Sequence, residues 1–69
     1  MQYVKSRHND DALKNLNEAI KVDRRNDLAF LERGRLYLAL GKSSKAKEDF
    51  NEAVALGNRE ASDLLATLN

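Results

Sequence analysis

The chain resembles itself when it is shifted by 34 positions, and the pairs of similar residues run through most of its length. These pairs are Tyr3 with Tyr37, Ala12 with Ala46, Leu16 with Phe50, Asn17 with Asn51, Glu18 with Glu52, Ala19 with Ala53, Ile20 with Val54, Val22 with Leu56 and Arg25 with Arg59. A unit of this length cannot bury its own apolar face, so consecutive units stack to form one core. The period therefore predicts a stack of similar units.

The fullest unit lies at residues 27–58 and has the pattern of two helices hinged at Gly41. Glycine adopts the left-handed conformation that ends helices, and serine oxygens accept the free amides of a helix start, so Gly41 and Ser43 predict a stop and a restart. Because the connection is short, the two helices should be antiparallel neighbours. Gly34, in the first helix, is expected to be a packing notch that lets the two backbones approach closely.

Each of these two helices has a recognisable apolar pattern. In the first, which we expect to be the most buried element, the apolar positions are Leu28, Phe30, Leu31, Gly34, Leu36, Tyr37, Leu38 and Leu40. In the second, they are Ala46, Phe50, Ala53, Val54 and Leu56. The charged residues between the second set are predicted to face solvent, and they are Lys45, Lys47, Glu48, Asp49 and Glu52.

The flanking segments look like parts of further units. Residues 2–6 are expected to form about one helical turn, and residues 7–10 a turn that leads into a helix from about Asp10 to Val22. The side chains that this helix should turn inward are Ala12, Leu13, Leu16, Ala19, Ile20 and Val22. A last helix from Asn58 onward has one apolar stripe, at Ala61, Leu64, Leu65 and Leu68. Asn26, Asp27 and Asn58 are the predicted helix-starting caps.

Six residues of the central unit stand where a known family has its signature, namely Phe30, Gly34, Tyr37, Ala46, Phe50 and Ala53. The chain resembles a tetratricopeptide-repeat (TPR) protein. The resemblance implies an all-α fold of antiparallel helix-turn-helix hairpins, stacked as a short right-handed superhelix. It departs from the family at Arg33, where a leucine is usual, and at Arg24 and Asn58, where proline normally closes a repeat. We expect one domain over residues 1–69, with a partial repeat at 1–26, a complete repeat at 27–58 and a capping helix at 59–69.

Composition and single residues argue against several functions. The 12 basic and 11 acidic residues are mixed along the chain, which gives a net charge of +1, so neither nucleic acid nor a membrane is an expected partner. There is no cysteine, and His8, the single histidine, lies in a predicted polar turn where Asn9, Asp10 and Asp11 could only loosely supply the partners that base catalysis or metal binding needs. No catalytic residue, metal site or cofactor is therefore predicted, and we expect a soluble non-enzyme, with the cytoplasm as the favoured compartment.

Binding is the remaining class of function. The resemblance places Leu28, Leu31, Glu32, Arg35, Leu38 and Ala39 on a concave groove, with Ser62, Leu65 and Ala66 beside them. Such grooves bind peptides in this family, and Arg35 could pair with a carboxylate of the partner, unless Glu32 holds it in a local surface pair. Glu32, Ser62 and Ala66 stand where the chaperone-tail-binding members have their polar clamp, so that ligand is not expected.

A second interpretation is structural. The chain has fewer than three full repeats, which is below the usual threshold for a stable stack. It could therefore be the terminal capping or assembly segment of a longer scaffold, and it could complete its missing layer by forming a homodimer.

Overall fold

The computed structural model describes residues 7–68, and of Arg7 only the backbone. This part of the chain forms four helices and no strand: α1 (Arg7–Val22), α2 (Asp27–Ala39), α3 (Ser43–Ala55) and α4 (Arg59–Leu68). Each helix packs on the next along the chain, and the most extensive contact is that between α2 and α3. The all-α class and the hairpin arrangement expected from the sequence are confirmed.

The turn after α2 is built around Gly41, as predicted. Gly41 has a φ of +77°, its N–H donates to the Leu38 carbonyl at 3.0 Å, and the Lys42 N–H donates to the Tyr37 carbonyl at 2.8 Å. This pair of bonds is the Schellman motif, which satisfies the free carbonyls at a helix end. The predicted serine cap is wrong, because Ser43 already lies inside α3. The N-cap is Lys42, whose side chain makes no capping bond because an ammonium group has no acceptor.

The start of α4 follows the same turn geometry and adds a cap. The Asn58 N–H closes α3 by donating to the Ala53 carbonyl at 2.9 Å, and the Asn58 side-chain oxygen accepts from the Ala61 N–H at 2.8 Å. Asn26 caps α2 in the same way, with its oxygen 3.1 Å from the Ala29 nitrogen. The predictions for Asn26 and Asn58 are confirmed, and each cap satisfies an amide that a helix start would otherwise leave free.

The core lies between the helices and contains side chains from all four of them. Its buried apolar residues are Ile20, Ala29, Phe30, Leu31, Ala46, Phe50, Ala53 and Ala61. Phe50 and Leu31 are the largest fully buried side chains. A Cβ atom placed on Gly34 would lie 2.5 Å from Cε1 of Phe50, which is closer than two carbon atoms can approach. Gly34 is therefore the predicted packing notch, and the ring of Phe50 occupies it.

We expect Gly34→Ala to destabilise the chain by about 2 kcal/mol. Overpacking in a core costs up to about 3 kcal/mol, and the better helix propensity of alanine recovers about 1 kcal/mol of that. Urea unfolding followed by circular dichroism measures the change. Adding Phe50→Leu should restore part of the loss, because leucine is smaller than phenylalanine and leaves room for the new methyl group. Equal or higher stability for Gly34→Ala alone would contradict this packing.

Several expectations about helix ends and burial need correction. Helix α1 begins at Arg7 and not near Asp10, because residues 7–10 contain no glycine or proline to stop it. The helical turn expected at residues 2–6 lies outside the described residues.

Val22 was expected to point into the core but is 81% exposed. It follows the buried Ile20 by two residues, and two such positions point to nearly opposite sides of a helix. Val54 is likewise exposed at 38%.

The distribution of burial between the two central helices also differs from the expectation. Helix α2 was expected to be the most buried element, but it has no more buried residues than α3, since each has four. One of those in α3 is Asp49, which was expected to face solvent but is 4% exposed. Its position three residues after Ala46 and four before Ala53 places it on the inner side of the helix, and Arg33 supplies the countercharge described below.

Candidate functional site

One face of α2 is exposed along nearly its whole length. Its residues are Leu28, Glu32, Arg35 and Ala39. The spacings of four, three and four residues put these side chains on one line that is about 16 Å long. Leu28 is 60% exposed, which leaves a large apolar side chain in contact with water. We call these four residues the α2 stripe.

The other predicted groove residues lie deeper. Leu31 is 2% exposed and belongs to the core, so its side chain offers no surface to a ligand. Leu38 and Leu65 are half-buried and pack against the core. Ser62 and Ala66 are exposed on α4. The peptide-binding role of this set stays a prediction, and the α2 stripe contains its exposed members from that helix.

Arg35 connects the α2 stripe to α4 through an ion pair. Its Nη2 atom binds Oε2 of Glu60, and the two side chains are 46% and 55% exposed. The acid that pairs with Arg35 is thus in the first turn of α4, and the expected local pair with Glu32 is not the one that forms. An exposed pair of this kind adds about 0–1 kcal/mol to stability, so its main effect is to hold the guanidinium group between the two helices.

A second contact ties α4 to α2 at their N-terminal ends. Nδ2 of Asn58 donates to Oδ2 of Asp27 at 2.8 Å in a partly buried position, while the oxygen of the same amide caps α4. Because Asn58 and Glu60 both belong to the start of α4, the two contacts fix that end of the helix against α2. The surface formed by α2 and α4 therefore rests on backbone elements whose relative position is constrained.

Arg33 forms a polar network that joins three helices. Its Nε and Nη2 atoms donate to Oδ2 and Oδ1 of Asp49 at 2.8 and 2.7 Å, which is the bidentate geometry favoured by guanidinium and carboxylate groups. Its Nη1 atom donates to Oδ1 of Asn17 at 2.8 Å. The Arg33 side chain is 21% exposed and that of Asp49 6%. The network therefore links α1, α2 and α3 at the edge of the core.

Aromatic rings complete the surroundings of Arg33. Its Cζ atom lies 5.6 Å from the ring centre of Phe30 and 5.8 Å from that of Tyr37, within the range of cation–π attraction.

The hydrogen bonds to Asp49 raise the pKa of Arg33 above its ordinary value, against the opposing effect of burial, and the charge of Asp49 adds to the rise. A raised pKa keeps the guanidinium charged, so the titration of Arg33 itself removes this stabilisation only as the pH rises through the raised pKa.

The described residues offer little to catalysis or metal binding. No group of three or more histidine, cysteine, aspartate or glutamate side chains among them could hold a metal ion. Asp49, the one buried acid of residues 7–68, is fully engaged by Arg33. Within the same residues, no helix is both long enough and apolar enough to cross a bilayer.

The sequence of the segment that contains the α2–α3 hairpin matches a known repeat family. A family model described as a tetratricopeptide repeat matches residues 29–61, from the first turn of α2 to the start of α4. The chain contains a tetratricopeptide repeat. No curated protein and no solved structure was found to be significantly similar to it. TPR units are non-catalytic and generally mediate protein–protein interaction.

Arg33 is the feature of this TPR protein that sequence reasoning noticed but did not interpret. The sequence analysis identifies Arg33 only as a departure from the leucine usual in the family, and it predicts that its partner Asp49 faces solvent. The available signal was the position of Asp49 between Ala46 and Ala53 on the inner side of α3. An acid on the inner side of one helix and a base within the apolar sector of its neighbour together indicate a buried ion pair.

Proposed function

We propose that this TPR protein binds a segment of another protein along the α2 stripe and the adjoining side of α4. The observation that carries the proposal is the unbroken exposure of Leu28, Glu32, Arg35 and Ala39 on one face of α2, although its neighbouring sides pack on α1 and α3. Proteins bind partners through such mixed surfaces, in which apolar side chains supply contact area and a positioned charge gives direction.

The chemistry of the stripe indicates what kind of segment would fit. Leu28 and Ala39 are apolar and stand at its two ends, where they can contact apolar side chains of the partner. Arg35 lies between them, and its guanidinium group can bind a carboxylate in a forked geometry. A carboxylate of the partner has to compete with Glu60, which holds Arg35 in the unbound chain. The proposed ligand is therefore a peptide segment with an acidic residue flanked by apolar ones.

Arg35→Glu should weaken the binding of such a segment at least about tenfold, which corresponds to about 1.4 kcal/mol. The substitution places a carboxylate where the proposal requires a carboxylate-binding group, so attraction becomes repulsion. The measurement begins with peptides selected on the wild-type chain from a displayed random library. Their dissociation constants are then determined for the wild type and the variant by isothermal titration calorimetry.

Two further variants make the test specific. Glu60→Gln removes the internal competitor and should tighten binding of the acidic peptides, whereas Lys47→Glu makes the same charge change on α3 and should leave binding unaltered. Circular dichroism checks that all variants remain helical. Selected peptides that bind Arg35→Glu as tightly as the wild type would contradict the proposal, and so would chemical-shift changes confined to helices other than α2 and α4.

A second candidate function is self-association, and a different surface favours it. Helix α1 has an exposed valine, Val22, on the side nearly opposite to its buried residue Ile20. This candidate does not use the α2 stripe, so the two functions can hold together or separately.

A further inference from the structure

The turn between α1 and α2 lies at one end of the α2 stripe and has two exposed arginines. Arg24 and Arg25 belong to residues 23–26, which connect the two helices. Arg25 comes three residues before Leu28, the first member of the stripe. Neither arginine makes an ion pair within the described residues 7–68. Two guanidinium groups therefore stand beside the apolar end of the proposed binding surface, and no carboxylate of this part of the chain holds them.

The two acids that flank these arginines in the sequence are engaged in other contacts. Oδ1 of Asp23 accepts a hydrogen bond from the backbone N–H of Arg25 at 3.0 Å, which fixes the shape of the turn. Oδ2 of Asp27 accepts from Nδ2 of Asn58 at 2.8 Å, and the carboxylate lies in the first turn of α2, where the helix dipole favours a negative charge. Both acids thus serve the fold, whereas the two guanidinium groups are available to a ligand.

Together with the stripe, the turn gives a fixed order of chemistry along α2. The order is basic at Arg25, apolar at Leu28, acidic at Glu32 and basic again at Arg35. Glu32 is exposed and makes no ion pair among the residues that the structure describes. A carboxylate beside Glu32 would be repelled, so an unbroken run of acids does not fit this line. The complementary order in a partner is an acid, an apolar residue, a basic or neutral residue and a second acid.

The length of this line sets the spacing of the two acids. Arg25 and Arg35 are ten positions apart, which is about 15 Å at the rise of an α-helix. An extended peptide advances about 3.3 Å per residue, so acids that bind the two basic points are about four or five residues apart. An apolar residue next to the first acid then contacts Leu28, which is 60% exposed.

The opposite end of the stripe is a poorer place for a second acid. Lys42 lies beyond Ala39, in the turn between α2 and α3, and is exposed. It supplies one ammonium group in place of two guanidinium groups, and an ammonium group cannot bind a carboxylate in the forked geometry of arginine. The apolar residue at that end is an alanine, which offers less contact area than Leu28. Charge and apolar area therefore both favour the end at Arg24 and Arg25.

We propose that the partner segment extends past Leu28 and places a second acidic residue on Arg24 and Arg25, about four or five residues from the acid that binds Arg35. The inference rests on the proposed binding along the α2 stripe, and it adds a second charged contact and a register. The ligand class is a peptide segment with two separated acids, an apolar residue beside the acid at the turn, and a basic or neutral residue between the two.

The probe is the set of peptides selected on the wild-type chain from a displayed random library. We expect them to carry two acids about four or five residues apart, with an apolar residue beside one acid and no acid between the two. The tightest peptide is then synthesised in two further forms, each with one of its acids replaced by glutamine. Isothermal titration calorimetry gives the dissociation constants of all three peptides for each protein variant.

The decisive variant combines Arg24→Glu with Arg25→Glu, and Lys42→Glu is its matched control at the other end of the stripe. The double variant should weaken binding of the original peptide about tenfold, because two attractions become two repulsions. It should leave binding nearly unchanged for the peptide that has glutamine in place of the acid beside its apolar residue. Lys42→Glu should bind every peptide as the wild type does. All three positions are exposed, and circular dichroism checks that each variant is folded.

Arg35→Glu distinguishes failure of this inference from failure of the proposed function. If Arg35→Glu weakens binding but the double variant binds every peptide as tightly as the wild type, the stripe binds the segment and the second contact at the turn is wrong. A loss caused by Lys42→Glu in place of the double variant also overturns the inference, since the segment then extends toward the other end. If Arg35→Glu has no effect, the proposed function fails and this inference fails with it. A loss in the double variant that disappears with the matching glutamine peptide supports the inference.

Discussion

Phe50→Ala should lower the free energy of unfolding by about 3–5 kcal/mol, which is the usual effect of removing a buried phenylalanine ring. Phe50 is 0% exposed, and its ring fills the space that Gly34 leaves open in α2. The backbone of α2 cannot move into the vacated volume without separating α2 from its other neighbour, α1. The cavity therefore stays largely open, and its full cost remains.

This loss is comparable to the whole stability of a domain of this size, which is about 3–5 kcal/mol when a single small core supports it. We expect the Phe50→Ala chain to be largely unfolded at room temperature, as read from its circular dichroism spectrum and the absence of a cooperative urea transition. Val54→Ala removes apolar atoms from the same helix at a position that is 38% exposed, and should change stability by less than about 1 kcal/mol. Cooperative melting of Phe50→Ala near the wild-type temperature would refute the packing described here.

Asp49→Ala is expected to have the second largest effect, a loss of about 2–3 kcal/mol. Removing one partner of a buried ion pair leaves the other charge without compensation, which costs about 3–5 kcal/mol when burial is complete. Arg33 is 21% exposed and keeps its bond to Asn17, so we place the expected loss below that range. Equilibrium unfolding in urea measures it.

The reason for the loss can be tested by removing the remaining charge as well. Adding Arg33→Met to Asp49→Ala should recover most of the stability, because an apolar side chain has no charge to leave unpaired. Glu48→Ala changes the neighbouring acid, which is exposed, and should lie within about 0.5 kcal/mol of the wild type. If the double variant is no more stable than Asp49→Ala, the carboxylate acts through packing and not through the charge of Arg33.

The parts of the fold that the sequence predicted are those fixed by local chemistry. Gly41 ends α2 because glycine adopts a positive φ easily, and Asn26 and Asn58 start helices because their amide oxygens reach free N–H groups. Gly34 could be identified as a notch since an interior glycine is unfavourable in a helix without such a reason. These effects depend on a residue and its near neighbours or on the repeat pattern.

The parts that the sequence did not predict depend on contacts between distant residues. Arg33 and Asp49 are 16 residues apart, and only the patterns of both helices taken together indicate that the two charges pair. The partner of Arg35 is likewise on another helix, so a rule based on neighbours in sequence chose Glu32 instead of Glu60. The assignment of Leu31 to the groove came from family resemblance, whereas its burial depends on how α2 is rotated between its neighbours. The helix rotation is set by packing across the whole stack.

Asn58 has three roles in one residue, since its N–H closes α3, its side-chain oxygen starts α4 and its side-chain nitrogen holds Asp27. The tilt between one hairpin and the following helix is therefore encoded at a single position of the sequence. Insertion of one residue there would rotate α4 and shift Ala61 out of its place in the core, while leaving the packing between α2 and α3 intact. In a longer array built from such units, the pitch of the whole superhelix could change by mutation at this joint, without any change to the residues that make each unit stable.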